Sequence, residues 1–176
     1  TEGLNTVVAE GEYQGYSALW FLTSCTLGQQ LLKDDKFLRD KITTEGLNAV
    51  LAEGEYKGKS PLYFLAGSLE GRQLLIKDKD LINKITADGL NAVIPEGESK
   101  GYTVLWFLTT KSCGRQLFFD DELRDKISVK GLNSVVLEGR CKGTSALLML
   151  AGSIEGQQLL NDDKDLRGKI LSLIHI

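Results

Sequence analysis

Histidine is almost missing from this chain: the one residue of that type, His175, stands second from the end. Without it, the Cys-His and Ser-His pairs that activate nucleophiles are excluded over most of the sequence, and carboxylates are left as the conventional bases. Cysteine is scarce as well. Cys25, Cys113 and Cys141 are odd in number and provide neither a disulfide framework nor a Cys-x-x-Cys metal site. A reducing compartment is therefore expected, with each thiol read as a small, half-buried side chain. Charge of one sign is lacking too. The net charge of −3, from 21 basic and 24 acidic residues, supplies no basic stripe and argues against a nucleic-acid partner. No stretch approaches the roughly 18 consecutive apolar residues of a membrane span, and no signal-peptide pattern is present. No membrane partner is expected, nor a metal or cofactor.

What is present is repetition. The triplet Gly-Leu-Asn falls at 3–5, 46–48, 89–91 and 131–133, at spacings of 43, 43 and 42 residues. The chain reads as four copies of one unit, 1–43, 44–86, 87–128 and 129–170, with one residue missing from the third in "FFDDELRDKI". Copies one and three share "LWFLT"; copies two and four share "LAGS" followed by Leu/Ile-Glu-Gly. Each unit of such an array buries its apolar face against its neighbours, and four copies exceed the usual minimum of about three.

One stretch, "GEYKGKS" at 54–60, invites a phosphate-binding reading. That loop requires four residues between its first Gly and the Gly-Lys-Ser, but three separate Gly54 from Gly58, and the required glycine position holds Glu53. The counterparts "GEYQGYS", "GESKGYT" and "GRCKGTS" replace Lys59 with Tyr16, Tyr102 and Thr144. The stretch is therefore a turn leading into a helix. Ser17, Ser60, Thr103 and Ser145 are the expected N-caps, and Pro61 suits the first helical position.

Leu19, Leu62, Leu105 and Leu147 precede Leu22, Leu65, Leu108 and Leu150 by three, which places all eight on core-facing helix surfaces. A second helix is expected to start near Gly28, Gly71, Gly114 and Gly156. A third, short helix would carry the apolar residues 38, 81, 123 and 166 and the isoleucines 42, 85, 127 and 170. Gly-Leu-Asn-x-Val reads as an extended arm or a single helical turn.

The stretch "GKSPLYFLAGSLEGRQLL" resembles the ankyrin repeat, in which Gly-x-Thr-Pro-Leu-His opens the first helix, a Gly marks the inter-helix turn and Leu-Leu closes the second. "GLNAV" is similar to one arm of that family's hairpin. The resemblance implies a mostly α, ankyrin-like solenoid, with two to three helices and a hairpin-like turn per repeat, of an extended bacterial type. Three features depart from the family: the period is longer by about ten residues, Trp20, Tyr63, Trp106 and Leu148 stand where it has histidine, and the proline occurs once. A three-helix armadillo- or HEAT-like array is the alternative.

Chemistry finds little support. Glu10, Glu53, Glu96 and Glu138 form one column, and Glu12, Glu55, Glu98 and Arg140 another, but carboxylates in equivalent sites have like environments, whereas acid–base pairs need different ones. Turn satisfaction or a solvated face is the expected role, with attraction of a basic partner second. The "DDK" stretches at 34–36 and 162–164 and "DDE" at 120–122 read as solvated helix surface. Trp20, Tyr63 and Trp106, with Phe21, Phe64, Phe107 and Met149, read first as core. The turn residues Tyr13, Tyr16, Tyr56, Lys59 and Tyr102, with Glu12, Glu55 and Glu98, are the candidate binding surface, since tyrosine is a favoured interface anchor.

The expected function is a non-catalytic module binding a protein or peptide, including one with a basic patch. A targeting segment of a larger enzyme or of a secreted effector, acting in a host cytosol, is the second expectation; for the module a cytoplasmic location is expected. Thr1 falls inside a repeat, so further repeats upstream are expected. Residues 171–176, "LSLIHI", break the register and look like translated sequencing-adapter sequence.

Overall fold

The computed structural model describes residues 2–171, with side chains over 3–168. Its regular elements are short helices joined by turns. The first repeat contains α1 (Glu2–Asn5), α2 (Ala18–Ser24), α3 (Thr26–Asp34) and α4 (Lys36–Asp40). The second contains α5 (Thr44–Asn48), α6 (Pro61–Gly67), α7 (Leu69–Lys77) and α8 (Lys79–Lys84). In the third follow α9 (Ala87–Asn91), α10 (Val104–Thr110), α11 (Ser112–Arg115), a 3-10 turn over Gln116–Phe119, and α12 (Asp121–Asp125). The fourth has α13 (Val129–Asn133), α14 (Ala146–Ala151), α15 (Ile154–Asp162) and α16 (Lys164–Leu171). Gly-Leu-Asn thus lies in a single helical turn, with the extended arm beginning only after it. The tighter winding in the third repeat compensates for its missing residue: four α and four 3-10 residues span about 14 Å, against about 13.5 Å for the nine-residue α3.

Caps start these helices. Ser17, Ser60, Thr103 and Ser145 accept hydrogen bonds from the N–H groups of Trp20, Tyr63, Trp106 and Leu148. Asp35, Asp78, Asp120 and Asp163 cap the fourth helix of each repeat in the same way. The second long helix begins two residues before its conserved-position glycine in the array, because that glycine sits in the first turn against the preceding helix. A Cβ on Gly71 would lie 2.3 Å from the Leu65 carbonyl oxygen, and one on Gly156 2.1 Å from that of Leu150. Only glycine lets the two helices turn so closely.

Corresponding helices of successive repeats lie against one another: α2 on α6, α6 on α10 and α10 on α14 in one row, α3 on α7, α7 on α11 and α11 on α15 in a second. Leu19, Leu62, Leu65, Leu105, Leu108 and Leu150 are fully buried between these rows. Leu22 and Leu147, also expected in the core, are only partly buried. Leu22 belongs to the first repeat and Leu147 to the last, and each side chain lacks the flanking layer that covers its counterparts.

Asparagine ties the layers together. Asn48 accepts from the Thr86 N–H at 3.1 Å and donates to the Lys84 carbonyl at 2.8 Å; Asn5 and Asn91 make the same two bonds to Thr43 and Lys41, and to Ser128 and Lys126. This explains Gly-Leu-Asn as a unit: the glycine of each following repeat makes room for the asparagine of the preceding one. Ion pairs add to the seam. Arg39 reaches Asp78 at 2.7 Å, Lys79 reaches Asp120 at 2.5 Å, and Arg124 reaches Asp163 at 2.5 Å. The side chains of Asp78, Asp120 and Asp163 are less than a fifth exposed. For Asp120 and Asp163 the expectation of solvated acidic surface is thereby corrected: a carboxylate that caps one helix and receives a cation from the layer before is drawn into the seam. Cys113 and Cys141 are half-buried as expected, but Cys25 is exposed, its sulfur capping α3 where the second and fourth repeats use Ser68 and Ser153 and the third has Lys111 with no side-chain cap. The expectation for the 171–176 tail concerns side chains outside the described residues.

Candidate functional site

Each repeat carries a finger between its one-turn helix and its first long helix. In the first, the Val8 N–H donates to the Tyr16 carbonyl at 2.8 Å and the Gly15 N–H to the Val8 carbonyl at 2.9 Å, closing a hairpin-like loop. Gly11 and Gly15 take φ of 95° and 87° there, and Gly54 and Gly58 take 84° and 85° in the second finger. That left-handed backbone is why the turns are written Gly-x-x-x-Gly. The lysine of "GEYKGKS" has its own local use: the Lys59 ammonium lies 4.9 Å from the Tyr56 ring centre and 5.6 Å from that of Tyr63.

The fingers and the first long helices share an aromatic surface. Tyr13 and Tyr16 pack on Phe21, and Tyr16 also meets Trp20 edge-on with ring centres 4.7 Å apart. Trp20 crosses to the second repeat, contacting Tyr56 at 5.2 Å and Phe64 at 4.8 Å. Tyr63, beside Phe64, crosses to Phe107 at 5.0 Å, and Phe107 stacks on Tyr102. A continuous ladder of rings therefore runs through three repeats. Tyr16, Tyr56 and Tyr102 are half-buried in it, so they are not free-standing turn residues. They stand beside the helix aromatics as part of one surface. Tyr13 and Phe21 remain about half exposed, at 53% and 44%.

Glu12, Tyr13, Tyr16 and Tyr56 come together around a cavity of about 420 Å³, with Trp20, Phe21, Ser24 and Phe64 completing its walls. Glu12, Tyr16 and Glu55 also line a neighbouring cavity of about 420 Å³ with Gln14 and Glu53. Tyr102 and Glu98 lie apart, in the third finger, and Lys59 sits one repeat along the ladder. The residues that sequence reasoning assigned to the core rather than to this site are Trp20, Phe21 and Phe64. The signal for Trp20 and Phe21 was their spacing of four and five residues from Tyr16, and for Phe64 its spacing of five from Lys59, which brings a helix's first turn under the end of the finger.

The electrostatics follow from burial and pairing. Lys57 meets Glu96 at 3.0 Å and Lys100 approaches Glu138 at 3.8 Å, each from the finger before, so two members of the first acidic column serve the finger-to-finger seam. Burial raises the Tyr16 hydroxyl above its ordinary range, helped by Tyr56 and the Glu55 carboxylate. Tyr63 is raised by burial, partly offset by its hydrogen bond to Ser99. Tyr102 is pushed up to about 12, first by burial and then by the Cys141 thiol. Among the described residues, no group of three or more His, Cys, Asp or Glu is placed to hold a metal ion. No described helix is long and apolar enough to cross a membrane.

No protein-family model, curated protein or solved structure matches this chain.

Proposed function

We propose that the chain is an ankyrin-like helical solenoid acting as a non-catalytic interaction module, and that it binds a protein or peptide along the face formed by the fingers and the first long helices. The ladder of partly exposed rings is the observation that carries this reading. Large aromatic side chains, tyrosine and tryptophan above all, are favoured interface anchors, and here partly exposed ones recur at the repeat spacing. Hairpin-like fingers next to paired helices support the ankyrin-like assignment over an armadillo- or HEAT-like one. The structural pairing of Glu96 and Glu138 favours a non-catalytic role for that carboxylate column.

The test is panning of a random peptide library against the chain, followed by titration of selected peptides. Tyr13→Ala with Phe21→Ala, two exposed positions, should weaken binding by about 1–3 kcal/mol with the circular dichroism spectrum retained. Phe64→Ala with Phe107→Ala should do the same further along the ladder. Unchanged affinity in both pairs refutes the assignment of this face.

A further inference from the structure

The seam between the first and second fingers differs in charge from the two that follow. The column that places Lys57 against Glu96 and Lys100 against Glu138 holds Gln14 in the first finger, so Glu53 has no lysine opposite it. Among the described residues neither Glu12, Glu53 nor Glu55 forms an ion pair. These carboxylates do not stand alone. Glu12 lies on the wall of both 420 Å³ cavities, and the first of these is otherwise formed largely by the rings of Tyr13, Tyr16, Trp20, Phe21, Tyr56 and Phe64. The Tyr56 ring of that wall already attracts a cation from within the chain, the Lys59 ammonium, which also lies over Tyr63 in the next stretch of the ladder.

Trp20 adds an independent sign. Trp106, its counterpart, gives its Nε1–H to Thr144 Oγ1 of the next finger at 3.1 Å. The matching position opposite Trp20 is Lys59, which cannot accept. Trp20 is 5% exposed and its Nε1–H finds no partner among the described residues, although a buried donor ordinarily has one.

We propose that the cavity between the first two fingers binds the lysine or arginine side chain of an extended basic peptide. This rests on the interaction-module reading and names its ligand class. The aliphatic stem packs on Phe21 and Phe64, the cationic head meets ring faces and the Glu12 carboxylate, and Trp20 offers a hydrogen-bond donor to a ligand carbonyl. Glu53 and Glu55 attract flanking positive charge. The site is confined to this seam because in the later ones lysine supplies the cation from within the chain.

The experiment is a nuclear magnetic resonance titration that follows the two indole N–H signals, assigned with Trp106→Phe. The probes are short Gly/Ser peptides whose central residue is lysine, trimethyllysine, arginine, norleucine or glutamate. The cationic peptides should shift the Trp20 signal, and the norleucine and glutamate peptides should not; the order among the three cations identifies the preferred head group. Gln14→Lys should raise the dissociation constant at least about tenfold without lowering the melting temperature, since lysine already occupies this column in the next two fingers. Equal binding of norleucine and lysine, an unchanged dissociation constant in Gln14→Lys, or a shift confined to Trp106 overturns the proposal. Library peptides that bind without a basic residue and ignore Gln14→Lys sink this inference and leave the module reading standing. A library that yields no binder at all removes both.

Discussion

Replacing Asn48 tests how the layers are held together. Its side chain bridges the second repeat to the third, accepting from the Thr86 N–H and donating to the Lys84 carbonyl, while also donating to Thr44 within its own helix. Asn48→Ala leaves one backbone donor and one acceptor without partners at a half-buried seam. At about 1–2 kcal/mol for each such group, the lower part of the usual range because the seam is only half-buried, the cost should be about 2–4 kcal/mol, a large share of the 5–15 kcal/mol typical of a folded domain. Gly89→Ala should cost a similar amount by another route. Its Cβ would stand 2.0 Å from Asn48 Oδ1, so the amide must leave its position and the same bonds are lost. In the double variant the principal clash is gone, and alanine replaces glycine inside a helical turn, which is favourable by about 0.5–1 kcal/mol. The close approach to Asn48 Cβ at 3.0 Å takes back part of that gain. The double variant should therefore unfold with about the single variant's loss of 2–4 kcal/mol, where independent effects would add to about 4–8 kcal/mol. Urea denaturation followed by far-ultraviolet circular dichroism measures all three. Additive losses would refute the clamp and reduce the asparagine column to a feature of its own helical turn.

Two further outcomes follow from burial. Leu62→Ala, at a fully buried position between stacked helices, should cost about 2–5 kcal/mol, and Leu147→Ala, partly buried in the last repeat, less than about 2 kcal/mol; equal losses in denaturant titrations would show that neighbouring repeats do not supply the packing. Tyr102, held neutral by burial and by Cys141, should ionise near 12 in an ultraviolet absorbance titration, above the ordinary tyrosine value of about 10. Its folded-state value is raised, so its contribution to stability is complete below about pH 10 and is lost as the pH rises towards about 12. A Tyr102→Phe variant should lose less stability over that window than the parent chain, and identical pH dependence would contradict the assignment.

The helix starts, the apolar columns and the register of the array were legible in the sequence because each depends on local chemistry repeated at a fixed spacing. A hydroxyl before an apolar block caps whatever helix follows, and leucines three apart share a face wherever that helix packs. The Gly-x-x-x-Gly turn was legible for the same reason, although the single helical turn at Gly-Leu-Asn was not separated from an extended arm. The triplet marked the period, yet nothing in it showed that the asparagine reaches across to the next repeat while the following glycine gives it room. Such a role joins residues about 40 positions apart and exists only once the layers are stacked. The acidic stretches misled on the same ground: Asp120 and Asp163 look like surface, and are drawn into the seam by cations from the preceding repeat.

The candidate site divides in the same way. From the sequence came the finger tyrosines as candidates, with Lys59 and the acidic finger column, although of those tyrosines only Tyr13 stands exposed. Tertiary structure alone decided that Tyr16, Tyr56 and Tyr102 lean onto Trp20 and Phe107, so that finger and helix aromatics make one surface where the sequence offered a choice between two. It also decided that Glu12, in an unremarkable column, stands beside a ring-lined cavity, while Glu98, its counterpart two repeats on, does not line that cavity. A column fixes what each repeat carries. Which of its copies faces a cavity, a lysine or a vacant donor depends on the residues of the neighbouring layer, and those are set by stacking across the repeat boundary.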